Sequence, residues 1–138
     1  MNRALAALPR TVGLALLLAS LGGCGSDADA PAVTGTVTYR ERIAMPPGAV
    51  VTVRLEDVSL ADAAAVPVAD QVITNPGNVP VPYSVEYDGM LINPVHTYAV
   101  RAEIRVGAAL WATTTSSYPV ITRGSPSTGV EILVQLLP

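Results

Sequence analysis

The chain reads as all-β: a single antiparallel β-sandwich, or a small open barrel, of about 7–8 strands behind a cleaved signal peptide. Three observations predict this. From Val33 onward, apolar and polar residues alternate with a period of two. Pro-, Gly- and Asn-rich clusters interrupt the alternation at short intervals. Only Leu60–Ala65 reads as helical, and it amounts to about one turn.

The first element is not part of the fold. Arg3 and Arg10 give a positive start, Val12 to Leu21 is nearly all apolar, and Leu21-Gly22-Gly23-Cys24 follows. Charge, a short apolar run and small residues in that order describe a secretory signal, and the run is shorter than the roughly 20 residues a bilayer span needs. The site ends on a cysteine, and this resembles the lipobox of bacterial lipoproteins. The resemblance implies cleavage after Gly23 and an N-palmitoyl, S-diacylglycerol modification on Cys24. Cys24 is the chain's one cysteine, so no internal disulfide can form in an oxidising compartment. In enterobacterial lipoproteins an Asp directly after the lipidated Cys retains the protein in the inner membrane. Here Gly25 and Ser26 follow, which implies an outer-membrane anchor facing the periplasm.

The expected organisation is therefore residues 1–23 as signal peptide, 24–32 as lipidated Cys and flexible tether, and 33–138 as one domain. Removing 23 of the 138 residues leaves 115, enough to bury a core without disulfide or metal. The mature part holds six arginines against all eleven acids, a net charge of −5. That excludes the basic footprint of a nucleic-acid binder and a polybasic lipid patch. Phenylalanine is absent, so Val, Leu, Ile, Ala and a few Tyr and Trp must build the core.

Within the domain, Val33, Val37 and Tyr39 share one face, with Gly35 in phase and Thr34, Thr36 and Thr38 opposite. Val51, Val53 and Leu55 alternate with Thr52, Arg54 and Glu56. Val79, Val81, Tyr83, Val85 and Tyr87 alternate with Pro80, Pro82, Ser84 and Glu86, and the prolines mark an edge strand because they cannot donate to a ladder. Tyr98, Val100, Ala102, Ile104 and Val106 form the next inward row, and Val130, Ile132 and Val134 the last. Weaker strands are expected at Val66–Thr74, Leu110–Thr115 and Tyr118–Thr122, with a short hairpin loop at Val106-Gly107-Ala108-Ala109.

The residues that chemistry would need do not converge. His96 is the only histidine, a poor start for a metal site, and no Gly-x-Ser-x-Gly elbow accompanies it. Glu86 and Asp88 stand two apart at a strand end, a spacing that suits a cation or glycosidase-like pair but equally a solvated strand end running into the Asp88-Gly89 turn. Asp57 falls on the inward parity of its strand, so either the strand bends before it or it caps backbone N–H groups of the turn at Ser59–Asp62; capping is the preferred role. Arg101 and Arg105, with Glu103 between them, read as a charged outer face, with an anion site as the alternative. No catalytic residue, cofactor-binding residue or metal ligand is assigned, and no small-molecule substrate is expected. Leu133 and Leu137 break the polar side of the last strand. Either that strand is covered on both faces or the two leucines form a partner surface.

Taken together, these segments resemble the YbaY/YscW lipoprotein family. Val33–Asp57 is similar to its opening pattern V-x-G-x-V-x-Y-x-E-R, P-P-G-A and V-x-V-x-L-x-D. Val81–Asp88 and Tyr98–Arg105 are similar to later family strands, with Tyr83 where Phe is frequent and Val106-Gly107 where Asp-Gly is usual. The resemblance covers nearly all of residues 33–138. It implies a β-sandwich envelope lipoprotein without known catalysis. Some members act as pilotins, which bind a secretin subunit and help place its ring. Three functions stand against one another: an assembly factor or chaperone that binds an envelope protein such as a secretin, a structural or stress-related envelope protein with no dedicated partner, and a carbohydrate or small-ligand binder.

Overall fold

A strand that alternates apolar and polar residues can bury only one face, so strands of this kind must share one interior. The computed structural model describes residues 30–138, in which eight strands do so. They are β1 (Ala32–Thr38), β2 (Ala49–Asp57), β3 (Val66–Thr74), β4 (Val81–Glu86), β5 (Tyr98–Val106), β6 (Ala109–Thr114), β7 (Tyr118–Val120) and β8 (Val130–Leu136). β1 starts one residue before the boundary expected at Val33. The signal segment, Cys24 and most of the tether lie outside the described residues.

The strands follow one another in the order β3-β2-β5-β6-β8-β1-β4, with β7 paired to β5 beyond the end of β6. The sheet curls until its two edge strands face each other across a seam, a nearly closed barrel. Every inward row read from the sequence is inside. Val33, Val37, Val51, Val53, Leu55, Tyr98, Val100, Ile104, Val130, Ile132 and Val134 are all buried in one core.

Two features of this arrangement differ from expectation. The sheet is not wholly antiparallel: β1 and β8 run parallel, from Gly35 opposite Val130 to Thr38 opposite Leu133. Both strands start at the same end of the barrel, because the long loop after β7 returns the chain there; the Thr34 N–H donates to the carbonyl of Ser127 in that loop. The single helical turn is also misplaced. Leu60–Ala65 forms only a hydrogen-bonded turn, and a 3-10 turn forms at Gly89–Leu91 instead. Asp88 explains the second site: its carboxylate accepts the Met90 N–H at 2.9 Å, capping the turn.

Bulges close the barrel. Between Leu55 and Glu56 the partner strand advances from Ala69 to Pro67, leaving Val68 as the extra residue of β3. Between Ile104 and Arg105, β6 advances from Ala112 to Leu110, leaving Trp111 unpaired to pack edge-on against Tyr39. The β5–β6 hairpin turns over Gly107 and Ala108, with Gly107 at a φ of 60° as the first central position of a II′ turn requires.

Candidate partner-binding surface

A strand inside a sheet presents its outward side chains to solvent, and on β8 these are Glu131, Leu133 and Gln135, with Leu137 just past the strand end. β8 is paired on both edges, to β6 and to β1, but nothing of the described chain covers its outer face fully. Leu133 is half-buried and Leu137 is 43% exposed. The structure thus makes β8 a central strand and still leaves two outward leucines, separated by the exposed Gln135.

Leu133 borders a gap in the sheet. β6 leaves β8 after Thr114, opposite Val134, and the chain swings through residues 115–117 to form β7. The Leu133 N–H loses its strand partner there and donates to the Tyr118 hydroxyl at 3.0 Å instead. A cavity of about 380 Å³ opens beside it, lined by Arg40, Glu41, Thr115, Ser116, Tyr118 and Leu133 among others. The same break in the ladder is repaired on β5 by Thr114, whose hydroxyl accepts the Ala102 N–H at 2.7 Å and donates to the Ala102 carbonyl at 2.8 Å. Neither hydroxyl's role was read from the sequence, where Thr114 and Tyr118 are ordinary strand residues.

The expected edge strand is an edge, and it is guarded. β4 ends the strand order, and the Ser84 N–H points away from β1 to the side-chain oxygen of Gln71 on β3, at 2.7 Å. Two residues along a strand the backbone faces the same way, so Pro82 also faces the seam, where it has no N–H to give. The seam therefore offers carbonyls with few donors, a poor template for an added strand. Gln71 stands opposite the buried Val53, on the core side of β3, and spends its polarity on this seam. Its place among alternating Ala69, Gln71 and Ile73 was the available signal.

The polar groups considered for chemistry are tied up in the scaffold. The Ser59 N–H and hydroxyl both donate to one oxygen of Asp57, and the His96 Nδ1–H donates to the other at 2.7 Å. β2 stays paired to β5 as far as Asp57, opposite Tyr98, and Asp57 takes the capping role on the Ser59 N–H. Ser59 is the main reason that the Asp57 carboxyl lies below its ordinary range, with His96 adding to the effect. Ser59, Asp57 and His96 meet, but with the carboxylate in the middle. A nucleophile–base relay needs the imidazole between carboxylate and hydroxyl, so the order is wrong for acyl transfer.

The outer arginines are paired rather than gathered. Arg54 and Arg105 both reach Glu103, at 3.2 and 3.3 Å, and Arg101 lies 3.7 Å from Glu56. Three cations thus share two carboxylates, which weakens the pull on an anionic ligand. Asp88 is the cap described above, and Glu86 stays exposed on the outer side of β4. Among the described residues, no three His, Cys, Asp or Glu side chains come together in a way that would hold a metal ion.

Comparison with known proteins adds what geometry alone does not. A family model described as "Type III secretion system lipoprotein chaperone (YscW)" matches residues 28–132. The uncharacterized lipoprotein YbaY of Escherichia coli (strain K12) is 32% identical over 104 residues, covering 75% of this chain and 55% of that protein. The chain thus spans little more than half the length of that curated relative. The solved structure of an alternative pilotin from the type II secretion system of Vibrio cholerae is similar at 41% identity and a TM-score of 0.69, covering 75% of this chain and 96% of that one.

Proposed function

The chain belongs to the YscW family of lipoprotein chaperones, and on that premise we propose that it is a lipid-anchored, non-enzymatic assembly factor that binds a secretin subunit in the bacterial envelope. One observation carries this reading: 41% identity and a TM-score of 0.69 across 96% of an alternative type II pilotin. A likeness of that extent carries the fold over nearly the whole length of that pilotin, which makes a pilotin role the reading it supports best. The polar clusters support binding over catalysis, since His96, Asp57 and the outer arginines are engaged in holding strands and loops together.

In this proposal residues 1–23 are removed, Cys24 carries the lipids, and Gly25 and Ser26 allow sorting to the outer membrane, with the domain of residues 33–138 facing the periplasm. The partner contact is the outer side of β8 at Leu133 and Leu137, with the neighbouring cavity at Tyr118. Apolar side chains in a polar surround are the usual core of such a contact. The guarded β4 edge turns the choice away from strand addition and toward this face.

The test is affinity purification of the full-length chain from detergent-solubilised membranes of a strain carrying a secretin system. The expected result is a stoichiometric secretin subunit that is lost with Leu133→Asp. A folded, lipidated chain that brings down no secretin contradicts the proposal.

A further inference from the structure

The described chain begins at one end of the barrel, and that end is the apolar one. β1 starts where β4 stops, with Ala32 opposite Glu86. The Pro31 carbonyl accepts the Tyr87 N–H at 3.0 Å, which fixes where the N-terminal segment leaves the fold. The register places three loops at the same end: residues 58–65 after β2, residues 87–97 between β4 and β5, and residues 121–129 after β7.

Among the described residues, five of the eight large apolar side chains that stand exposed belong to this end: Leu60, Val66, Met90, Leu91 and Val95. Met90 is 92% exposed, Leu60 73% and Val95 70%, so these are loop tips that the core does not use. They are held out rather than left loose. Asp88 caps the turn that presents Met90 and Leu91, and the Tyr98 hydroxyl accepts the Asn93 N–H beneath them. On the far side of the same mouth, His96 and Ser59 tie the Leu60 and Val95 loops together through Asp57.

We infer that this end of the barrel is a membrane-contact surface, with Met90, Leu91, Val95 and Leu60 seated in the lipid surface to which Cys24 is anchored. The inference rests on the lipid anchor proposed above. Its occupant follows from chain length. Ala30 lies six residues on from Cys24, and that stretch fully extended reaches about 21 Å. A partner domain does not fit easily between this end and the bilayer, whereas apolar loop tips do reach the lipid. The charges here are Asp62, Glu86, Asp88 and Arg123 besides the engaged Asp57 and His96, so the contact is apolar and gains nothing from anionic lipid. Its use is orientation: seating this end turns the opposite end, with residues 39–48, 75–80 and Leu137, toward the periplasm.

The test uses the full-length lipidated protein in phosphatidylcholine–phosphatidylethanolamine vesicles with brominated acyl chains. Met90→Trp and, at the opposite end, Ala108→Trp are compared, with native Trp111 common to both. With the parent's Trp111 emission subtracted, the expected result is blue-shifted, bromine-quenched emission from the added tryptophan of Met90→Trp and water-like, unquenched emission from that of Ala108→Trp. Protein that floats with the vesicles but leaves Met90→Trp unquenched overturns the surface and spares the anchor. Protein that neither floats nor carries a lipid mass on its N-terminal peptide overturns the anchor and the surface together. Quenching that disappears when purified secretin subunit is added assigns these loops to the partner and also overturns the inference.

Discussion

Gly35 lies so close to Val130 that a β-carbon built on it would stand 1.9 Å from the Val130 carbonyl oxygen. The contact belongs to the parallel β1–β8 pair, where the two residues are opposite each other. Tyr83 is Gly35's neighbour on the other side, in β4. With no side chain between, the Tyr83 hydroxyl passes over Gly35 and donates to the same Val130 carbonyl at 2.8 Å. One glycine thus lets three strands be joined by one buried tyrosine.

Gly35→Ala is expected to cost about 3 kcal/mol or more, the upper part of the range for overpacking, because the clash is with backbone that cannot rotate away. Tyr83→Phe keeps the ring and loses the hydrogen bond, so about 1 kcal/mol is expected. Urea unfolding of both variants checks the pair. A Gly35→Ala protein as stable as the parent contradicts the close approach.

Truncating an inward residue should be far worse than altering an outward one. Ile132→Ala is expected to cost about 2–5 kcal/mol, because Ile132 is fully buried in the core. Arg101→Gln should stay within about 1 kcal/mol, since its pairing with Glu56 is at 3.7 Å and half-exposed. Equal losses in the two variants, read from thermal and urea unfolding, contradict the strand parity.

The Asp57 carboxyl is held below its ordinary range by Ser59 first and His96 last, so its charged form is favoured in the folded protein. A depressed folded pKa contributes stability above the unfolded value of about 4 and loses it as pH falls through the folded value. Ser59→Ala is expected to raise the Asp57 pKa toward the ordinary carboxylate value and move the acid loss of stability to higher pH. Carboxyl-carbon NMR titration checks it; Asp57 titrating at the ordinary value in the parent protein contradicts it.

Much of this was legible in the sequence because it is local. Val33, Val37, Val51, Val53, Ile104 and Ile132 announce their burial by period two, and the fold follows that alternation. Gly35 is visible as a gap in phase with Val33 and Val37, although the atom it makes room for is 95 residues away. Asp57's capping of Ser59 is also local, two residues along the chain. What pairing decides was not legible. The parallel β1–β8 contact depends on the end from which the last strand returns, and alternation carries no direction. The His96–Asp57 and Arg54–Glu103 contacts span 39 and 49 residues. Leu133 and Leu137 were legible as exceptions to the pattern, and they remain the outward leucines of β8.

Lipid attachment is a separate expectation, on residues outside those the structure describes. Cys24→Ser should leave an unprocessed precursor without lipid, because the thiol is the only sulfur nucleophile at the cleavage boundary. Mass spectrometry of the wild-type N-terminal peptide should find the modified Cys24. A mature chain starting elsewhere, with an unmodified Cys24, contradicts the anchor.

The central claim is that the protein works by binding from a lipid anchor and not by catalysis. Complementation of a deletion strain at matched protein levels tests it most directly, with assembled secretin in the outer membrane as the readout. The account predicts that His96→Ala and Glu86→Gln each restore assembly, while Cys24→Ser and a charge at Leu133 or Leu137 do not. If His96→Ala alone abolishes function in a protein that stays folded and lipidated, the binding account is wrong, and a reactive site must lie around Asn93–His96.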